Sequence, residues 1–501
     1  MDWSLGIFGD IRLDQGGGVI LERMVSCKTV CLHRLGGNRP GELQAGRFFA
    51  NRKVTPEKIV KSWSQRTGAA CAGAHVLAIQ DTTGVKFPTT AQRRRGLGLV
   101  KKGRSYGLSV HAMLAVDAAS GACLGLVGGE VWKRDGVAET PHQERPLSER
   151  ESRPSGQAQG QANWLETAEQ AKIVLEPAAM MTVVGDRESD IYASWASVPA
   201  ERCHLLTRAM VNRPLAGGGK LFTVADRFVV AGRRVLGLDP RIELPAHQPD
   251  RAKRTATVEM RFGEVIICRP RDEWDRTLPK KLPLRLVDVR EVNPPEGVEP
   301  LHWRLLTTHP IADAAAAWEI VRWYQLRWVT GQLFRVMKTQ GLQLEDSQMA
   351  TAEWLLKLAA AATKAACIDI QLVQERDGKH GLPTSVVFGE AETETLAALQ
   401  PSLEGNTERQ KNPHPIISLA GACWVIARLG GWNCYYKPPG PITFRRGMEQ
   451  FYAIHRGRML EMRMKRDVRI PWLAGGEKEA RTTVLTPFSR QSVSGRAGGL
   501  L

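Results

Sequence analysis

The chain has 501 residues, with 69 Lys and Arg against 52 Asp and Glu, a formal net charge of +17. At about 100–200 residues per domain this length predicts two to four domains and excludes a peptide module or a small disulfide scaffold. The 43% hydrophobic fraction excludes a mostly disordered chain, and the basic excess favours a polyanionic partner, with nucleic acid the first expectation.

Residues 1–70 read as a helical unit. Val19 to Met24 and Val54 to Trp63 have helical apolar spacing, and Thr55-Pro56-Glu57 is a good helix start. Arg47, Arg52, Lys53, Lys58 and Lys61 concentrate positive charge there. The run His75 to Asp81 then reads as a short strand ending in an acid. Ser109 to Asp117 and Cys123 to Trp132 complete an antiparallel meander joined by Gly-containing turns. Residues 138–162 are polar and read as a mobile loop, followed by a helix from Trp164 to Leu175 and the run Met181 to Asp186. Between 203 and 308 the pattern is strand-like again, punctuated by Gly217-Gly218-Gly219, Pro240 and Pro294-Pro295. Helices are predicted over Ala314 to Met337, Ala352 to Gln374 and most of 390–460. The segment 466–501 is rich in Gly, Ser and Arg and is expected to be disordered.

The nine cysteines are scattered and form no CxxC pair, which reads as reduced thiols in an intracellular protein. The start Met1-Asp2-Trp3 lacks a signal-peptide pattern. The Ala-rich stretch Leu355 to Ile370 carries Lys357, Lys364 and Asp369, so it reads as a core helix and no membrane span is expected.

Two strand-like runs end in a carboxylate, Asp81 before Thr82-Thr83 and Asp186 before Arg187-Glu188-Ser189-Asp190. Acids at the ends of neighbouring buried strands suit hard divalent cations, since Mg²⁺ takes a few carboxylate oxygens and keeps positions open for phosphate and water. Each Asp alone would serve equally as a helix cap. Tyr324, Arg327, Gly331, Arg335 and Lys338 recur at intervals of three and four, which places them on one face of a helix. Such a face suits phosphate contact and base stacking, and read alone it is also an ordinary solvated basic face.

With these residues assembled, the chain resembles bacterial DDE transposases of the insertion-sequence-four family, in the transposon-five-like subgroup. The resemblance spans roughly residues 3–465. It rests on Ile79-Gln80-Asp81-Thr82-Thr83, His111 in its strand, Asp186 to Tyr192, Asn293-Pro294-Pro295, Leu301-His302-Trp303, the Tyr324/Arg327/Lys338 signature and Ala427 to Gly431. It implies an α/β fold: an RNase H-like mixed-sheet catalytic core over 71–370 with a β-rich insertion at about 203–308. Helical flanks would be a DNA end-binding domain over 1–70 and a dimerisation region over 371–465. It implies Asp81 and Asp186 as catalytic metal ligands, with two Mg²⁺ ions (Mn²⁺ also serving). Arg187, Arg208, Trp303, Tyr324, Arg327, Arg335 and Lys338 would contact DNA, together with Arg47, Arg52 and Lys53. It further implies double-stranded transposon ends and target DNA as partners, a homodimer formed on DNA, and a cytoplasmic, nucleoid-associated location.

The sequence departs from that pattern where it matters chemically. The position of the third acid is Gly331, and the one before it, usually Ile, is Thr330. The nearest acids along the chain, Glu319 and Glu345, are not on an adjacent turn. Gly46, before Arg47-Phe48, stands where relatives usually carry an aromatic. The expectation is a cut-and-paste transposase impaired in catalysis, the alternative a non-catalytic DNA-binding, dimerising protein that inhibits related transposases. A cellular RNase H-like nuclease is disfavoured by the basic N-terminal unit and the Ala427 to Gly431 region.

Overall fold

Local signals start several of the helices. Asp10 caps α1 (Ile11–Cys27) by accepting from the Arg12 N–H, and after α2 (Leu32–Gly36) Asn38 caps α3 (Arg39–Ala50) through the Gly41 N–H. Thr55 caps α4 (Pro56–Lys61), with Pro56 in the first turn where no amide partner is needed. A short α5 (Thr67–Ala70) leads into the sheet. This computed structural model describes residues 3–88, 96–100, 105–133, 156–238, 254–273, 275–435 and 438–467.

One mixed sheet forms the centre. Its strands are β1 (His75–Lys86), β2 (Gly98–Leu99), β3 (Tyr106–Asp117), β4 (Cys123–Trp132), β5 (Met180–Gly185), β6 (Cys203–Arg208), β7 (Val230–Leu238), β8 (Arg254–Cys268), β9 (Lys281–Glu291) and β10 (His302–Thr307). The order is β2-β3-β1-β5-β6-β10-β9-β8-β7, with β4 also paired to β3. β1 runs antiparallel to β3 and β3 to β4, whereas β1–β5 and β5–β6 are parallel. The strands β6 to β10 all hydrogen-bond into this sheet, so the stretch expected as an insertion from 203 begins with a strand, β6, paired to β5. Val76 to Gln80 is buried at every position, as a strand covered on both faces must be.

The remaining helices are α6 (Gly156–Val174), α7 (Tyr192–Ser197), α8 (Leu221–Val224), α9 (Ala314–Gln325), α10 (Trp328–Arg335), α11 (Ala352–Glu375), α12 (Glu390–Leu403), α13 (Leu419–Leu429) and α14 (Pro441–Asp467). The Ala-rich α11 is the buried axis of the helical side: Leu358 to Ala362 are fully buried, as a core helix of small residues permits. It is tied to the N-terminal helices by polar contacts from buried groups. Lys357 Nζ donates to the Phe49 and Asn51 carbonyls, Lys364 Nζ to those of Ser4 and Ser62, and the Trp63 indole to the Ala360 carbonyl. Residues Met1–Ile454 accordingly form one compact unit, and His455–Leu501 a second whose described part is helical.

Two boundaries differ from expectation. Residues 156–162, expected in a polar loop, are the first turns of α6, while 138–155 lie outside the described residues. The expected helix Ala314 to Met337 is broken into α9 and α10 by a tight turn and ends in a π-helical turn, Val336–Gln340. Residues 468–501 of the expected disordered tail lie outside the described residues. All nine cysteines are free, and among the described residues no helix is long and apolar enough to cross a membrane.

Candidate active site

Asp81 and Asp186 sit on adjacent parallel strands. The β1–β5 register pairs Ile79 with Val184, so the two acids fall two residues further along, opposite one another. Asp81 is not at a strand end: β1 continues to Lys86 because β3 goes on pairing with it, from Ala112 opposite Asp81 to Gly107 opposite Lys86. Asp186 does end its strand. Its carbonyl accepts from the Ser189 amide (2.9 Å) and hydroxyl (2.6 Å), which turns the chain into a single 3₁₀ turn, Arg187–Ser189. Only glycine fits before it, since a Cβ on Gly185 would lie 2.1 Å from the Ser189 hydroxyl.

The two carboxylates are joined by one guanidinium. Arg327 Nη1 lies 3.3 Å from Asp81 Oδ2, and Nη2 lies 3.3 Å from Asp186 Oδ2. The Thr82 N–H donates to Asp81 Oδ1 (2.8 Å), and the Tyr324 hydroxyl to Asp186 Oδ1 (2.9 Å). Burial pushes the Asp81 carboxyl up, more than Arg327 and the Thr82 amide pull it down. Burial also acts upward on Asp186, but Arg327, the Arg187 amide and the Tyr324 hydroxyl outweigh it and hold that carboxyl below its ordinary value. The Tyr324 phenol is pushed up to about 12 by burial and then by the Asp186 charge, so it stays a proton donor at neutral pH.

Around this pair the aromatic and basic residues of the signature are distributed unequally. The Trp303 ring meets the buried Tyr324 edge to face at 5.2 Å, and Trp303 itself is half-buried. Arg327 lies over the Tyr324 ring at 5.6 Å. Arg208 Nη2 donates to the His302 carbonyl (2.8 Å), which places its charge beside Tyr324 and Asp186. Arg187 is exposed, Arg335 half-buried, and Lys338 buried in the π-helical turn. Arg47, Arg52 and Lys53 are exposed on and after α3. Gly46 has room for a side chain, with Leu32 Cδ1 at ordinary contact distance from a Cβ built there.

The helix face inferred from spacing is interrupted. Arg327 N–H donates to the Tyr324 carbonyl, Val329 to Leu326 and Thr330 to Arg327, i to i−3 bonds that tighten the chain between α9 and α10. Thr330 is fully buried, and its hydroxyl donates to the Arg327 carbonyl (2.7 Å), so its polar atom is satisfied. Gly331 follows one turn after Arg327, on the same side of α10. It is exposed, and a Cβ built on it meets nothing within 4 Å.

Sequence reasoning missed Asp288. This fully buried acid on β9 receives His302 Nε2 (2.8 Å) and Arg290 Nε (2.5 Å), and it fixes the strand that carries Trp303. In an alternating run such as Leu286-Val287-Asp288-Val289-Arg290 nothing distinguished it from a solvent-facing residue.

The donor set falls short of what two Mg²⁺ ions take. Two carboxylates converge and a guanidinium already lies between them, while Gly331, where the resemblance implies a third acid, offers no side-chain oxygen. Among the described residues no group of three or more His, Cys, Asp or Glu side chains is placed to hold a metal ion. No protein-family model matches the chain. Among solved structures it is similar to the piggyBac transposase in a cryo-EM structure of its synaptic complex with hairpin DNA, at a TM-score of 0.36 and 10% identity over 92% of this chain and 76% of that one. A likeness that low assigns neither family nor fold.

Proposed function

We propose that this protein binds DNA ends as a DDE-type transposase does and is impaired in cutting them. The observation that carries the reading is the acid pair Asp81 and Asp186 on adjacent strands, bridged by Arg327, which lies one turn before Gly331, where the resemblance puts a third acid. The order β4-β3-β1-β5-β6, antiparallel in its first two pairings and parallel in its last two, supports an RNase H-like core. A net charge of +17 and exposed Arg47, Arg52, Lys53 and Arg187 supply phosphate contacts. Trp303, half-buried against Tyr324 beside Asp186, supplies aromatic surface on which an unstacked base can lie.

In this reading the chain's own residues bind and orient the duplex, and Asp81 and Asp186 alone are insufficient for strand cleavage. Two copies hold two ends, with 371–465 as the contact between them. The test is a duplex carrying the element's own end. The unmodified chain should bind it with an affinity that falls as salt rises, and should cut it orders of magnitude more slowly in Mg²⁺ or Mn²⁺ than a Gly331→Glu variant. Efficient cutting by the unmodified chain, or binding indifferent to salt, would refute the proposal.

A further inference from the structure

We propose that Arg327 is the resident counter-ion of the Asp81–Asp186 pair, occupying the position of a divalent cation and excluding such ions from the DNA-free protein. The inference rests on the reading of these two residues as a transposase-type acid pair. Each of the four carboxylate oxygens already has a partner, three through hydrogen bonds and the fourth through an ion pair. Asp81 Oδ1 has the Thr82 amide and Oδ2 has Arg327 Nη1, while Asp186 Oδ1 has the Tyr324 hydroxyl and Oδ2 has Arg327 Nη2. A cation entering between the acids must displace at least one of these partners, and the one between the two acids is the guanidinium.

The arrangement suits arginine in particular. The planar fork carries two terminal nitrogens in fixed geometry, so one side chain spans two carboxylates, and its charge persists at any pH the protein survives. Arg327 is held in register by the tight turn that begins at its own amide and by the Tyr324 ring beneath it. Its Nε is buried without a hydrogen-bond partner, so the contacts of its two terminal nitrogens with the acids are what offset burying the head group. Among the described residues the side chains of Arg327, Asp81 and Asp186 stay 26%, 26% and 33% exposed, and the group that stands between the two acids is the charged guanidinium.

The test uses the full-length chain without DNA and Mn²⁺ as the probe, with bound and free ion separated by electron paramagnetic resonance. An Arg327→Gln variant, which keeps a polar side chain and removes the charge, should bind Mn²⁺ at least about tenfold more tightly than the unmodified chain. Adding Asp186→Asn to that variant should abolish the gain. Equal affinity of the two chains, or a gain that survives Asp186→Asn, overturns the proposal. Should Arg327→Gln fail to fold, the unmodified chain decides: tight Mn²⁺ binding that Asp186→Asn removes overturns the proposal, and weak binding indifferent to Asp186→Asn upholds it. Duplex binding is measured separately, so a chain that binds no DNA but keeps the Mn²⁺ contrast loses the functional reading and retains this one.

Discussion

Replacing Asp190 separates the two aspartates of the run Asp186 to Asp190 by their work, because the contacts of Asp190 are structural. Its side chain is fully buried against Arg213, itself 4% exposed. Oδ1 accepts from Arg213 Nη2 (2.8 Å) and the Trp195 indole (3.2 Å), and Oδ2 accepts from the Met210 (2.8 Å) and Val211 (3.0 Å) amides. Asp190→Ala leaves a buried guanidinium with one remaining acceptor, the Asp190 carbonyl at 2.7 Å, and strips three N–H groups of theirs. Breaking a buried ion pair from one side costs about 3–5 kcal/mol. Asp190→Asn should cost about 2–3 kcal/mol, because whichever way the amide turns its NH₂ faces donors. Urea unfolding read by tryptophan fluorescence gives both numbers from the midpoint shift at constant slope. Adding Arg213→Met to the Ala variant should recover part of the loss by removing the stranded charge. DNA affinity per folded molecule should not change in any of these variants. A loss below about 1 kcal/mol for Asp190→Ala would refute the reasoning, since that is the size of a solvent-exposed pair.

Two further outcomes are expected, one from buried histidines and one from the exposed Gly331. Burial pushes His111 down to about 4; burial, then the nearby His204 and His75, pushes His309 down to about 3. Both are neutral in the folded chain, so the stability they contribute is complete above about pH 6.5 and is lost as pH falls toward those values, about 3 kcal/mol for His111 alone. The urea midpoint should drop between pH 7.5 and 5, with a shallower slope in His111→Gln; an identical slope in that variant would refute the assignment. Gly331→Ala should stabilise the chain by up to about 1 kcal/mol, because its Cβ enters open space on a helix, and a fall in the urea midpoint would show that the glycine is needed there.

The strands were legible because their apolar runs are long and covered on both faces, and Val76 to Gln80 shows why. What a run cannot reveal is its partner's length. The pattern stops at Asp81, while β1 continues five residues further because β3 is there to pair with it. The first turns of α6 were hidden by Gly156 and Gly160, which depress helix propensity without preventing a helix. The tight turn at Leu326-Arg327 carries neither Pro nor Gly, so nothing local announced it. The acid pair could be read from where two runs end, but the bridge between them could not. Arg327 and Asp81 are 246 residues apart, and only the topology brings them together.

The glycine and the arginine are linked by their spacing. A carboxylate at 331 would stand four residues after Arg327 on the same face, the arrangement in which helical side chains of opposite charge pair. It would draw the guanidinium along α10 and away from Asp81 and Asp186. With glycine there, Arg327 has no acidic competitor at that position, and both of its terminal nitrogens stay on the acid pair. On the reading proposed above, one position therefore acts twice: its side chain is missing as an oxygen donor, and its absence lets the arginine close the remaining two. Gly331→Glu should then restore more than a ligand. It should raise Mn²⁺ affinity in the DNA-free chain by freeing Asp81 and Asp186, whereas Gly331→Gln, which cannot pair as an anion, should leave that affinity where it is. Equal effects of Glu and Gln would show that Arg327 does not respond to charge at 331 and that the two positions act independently.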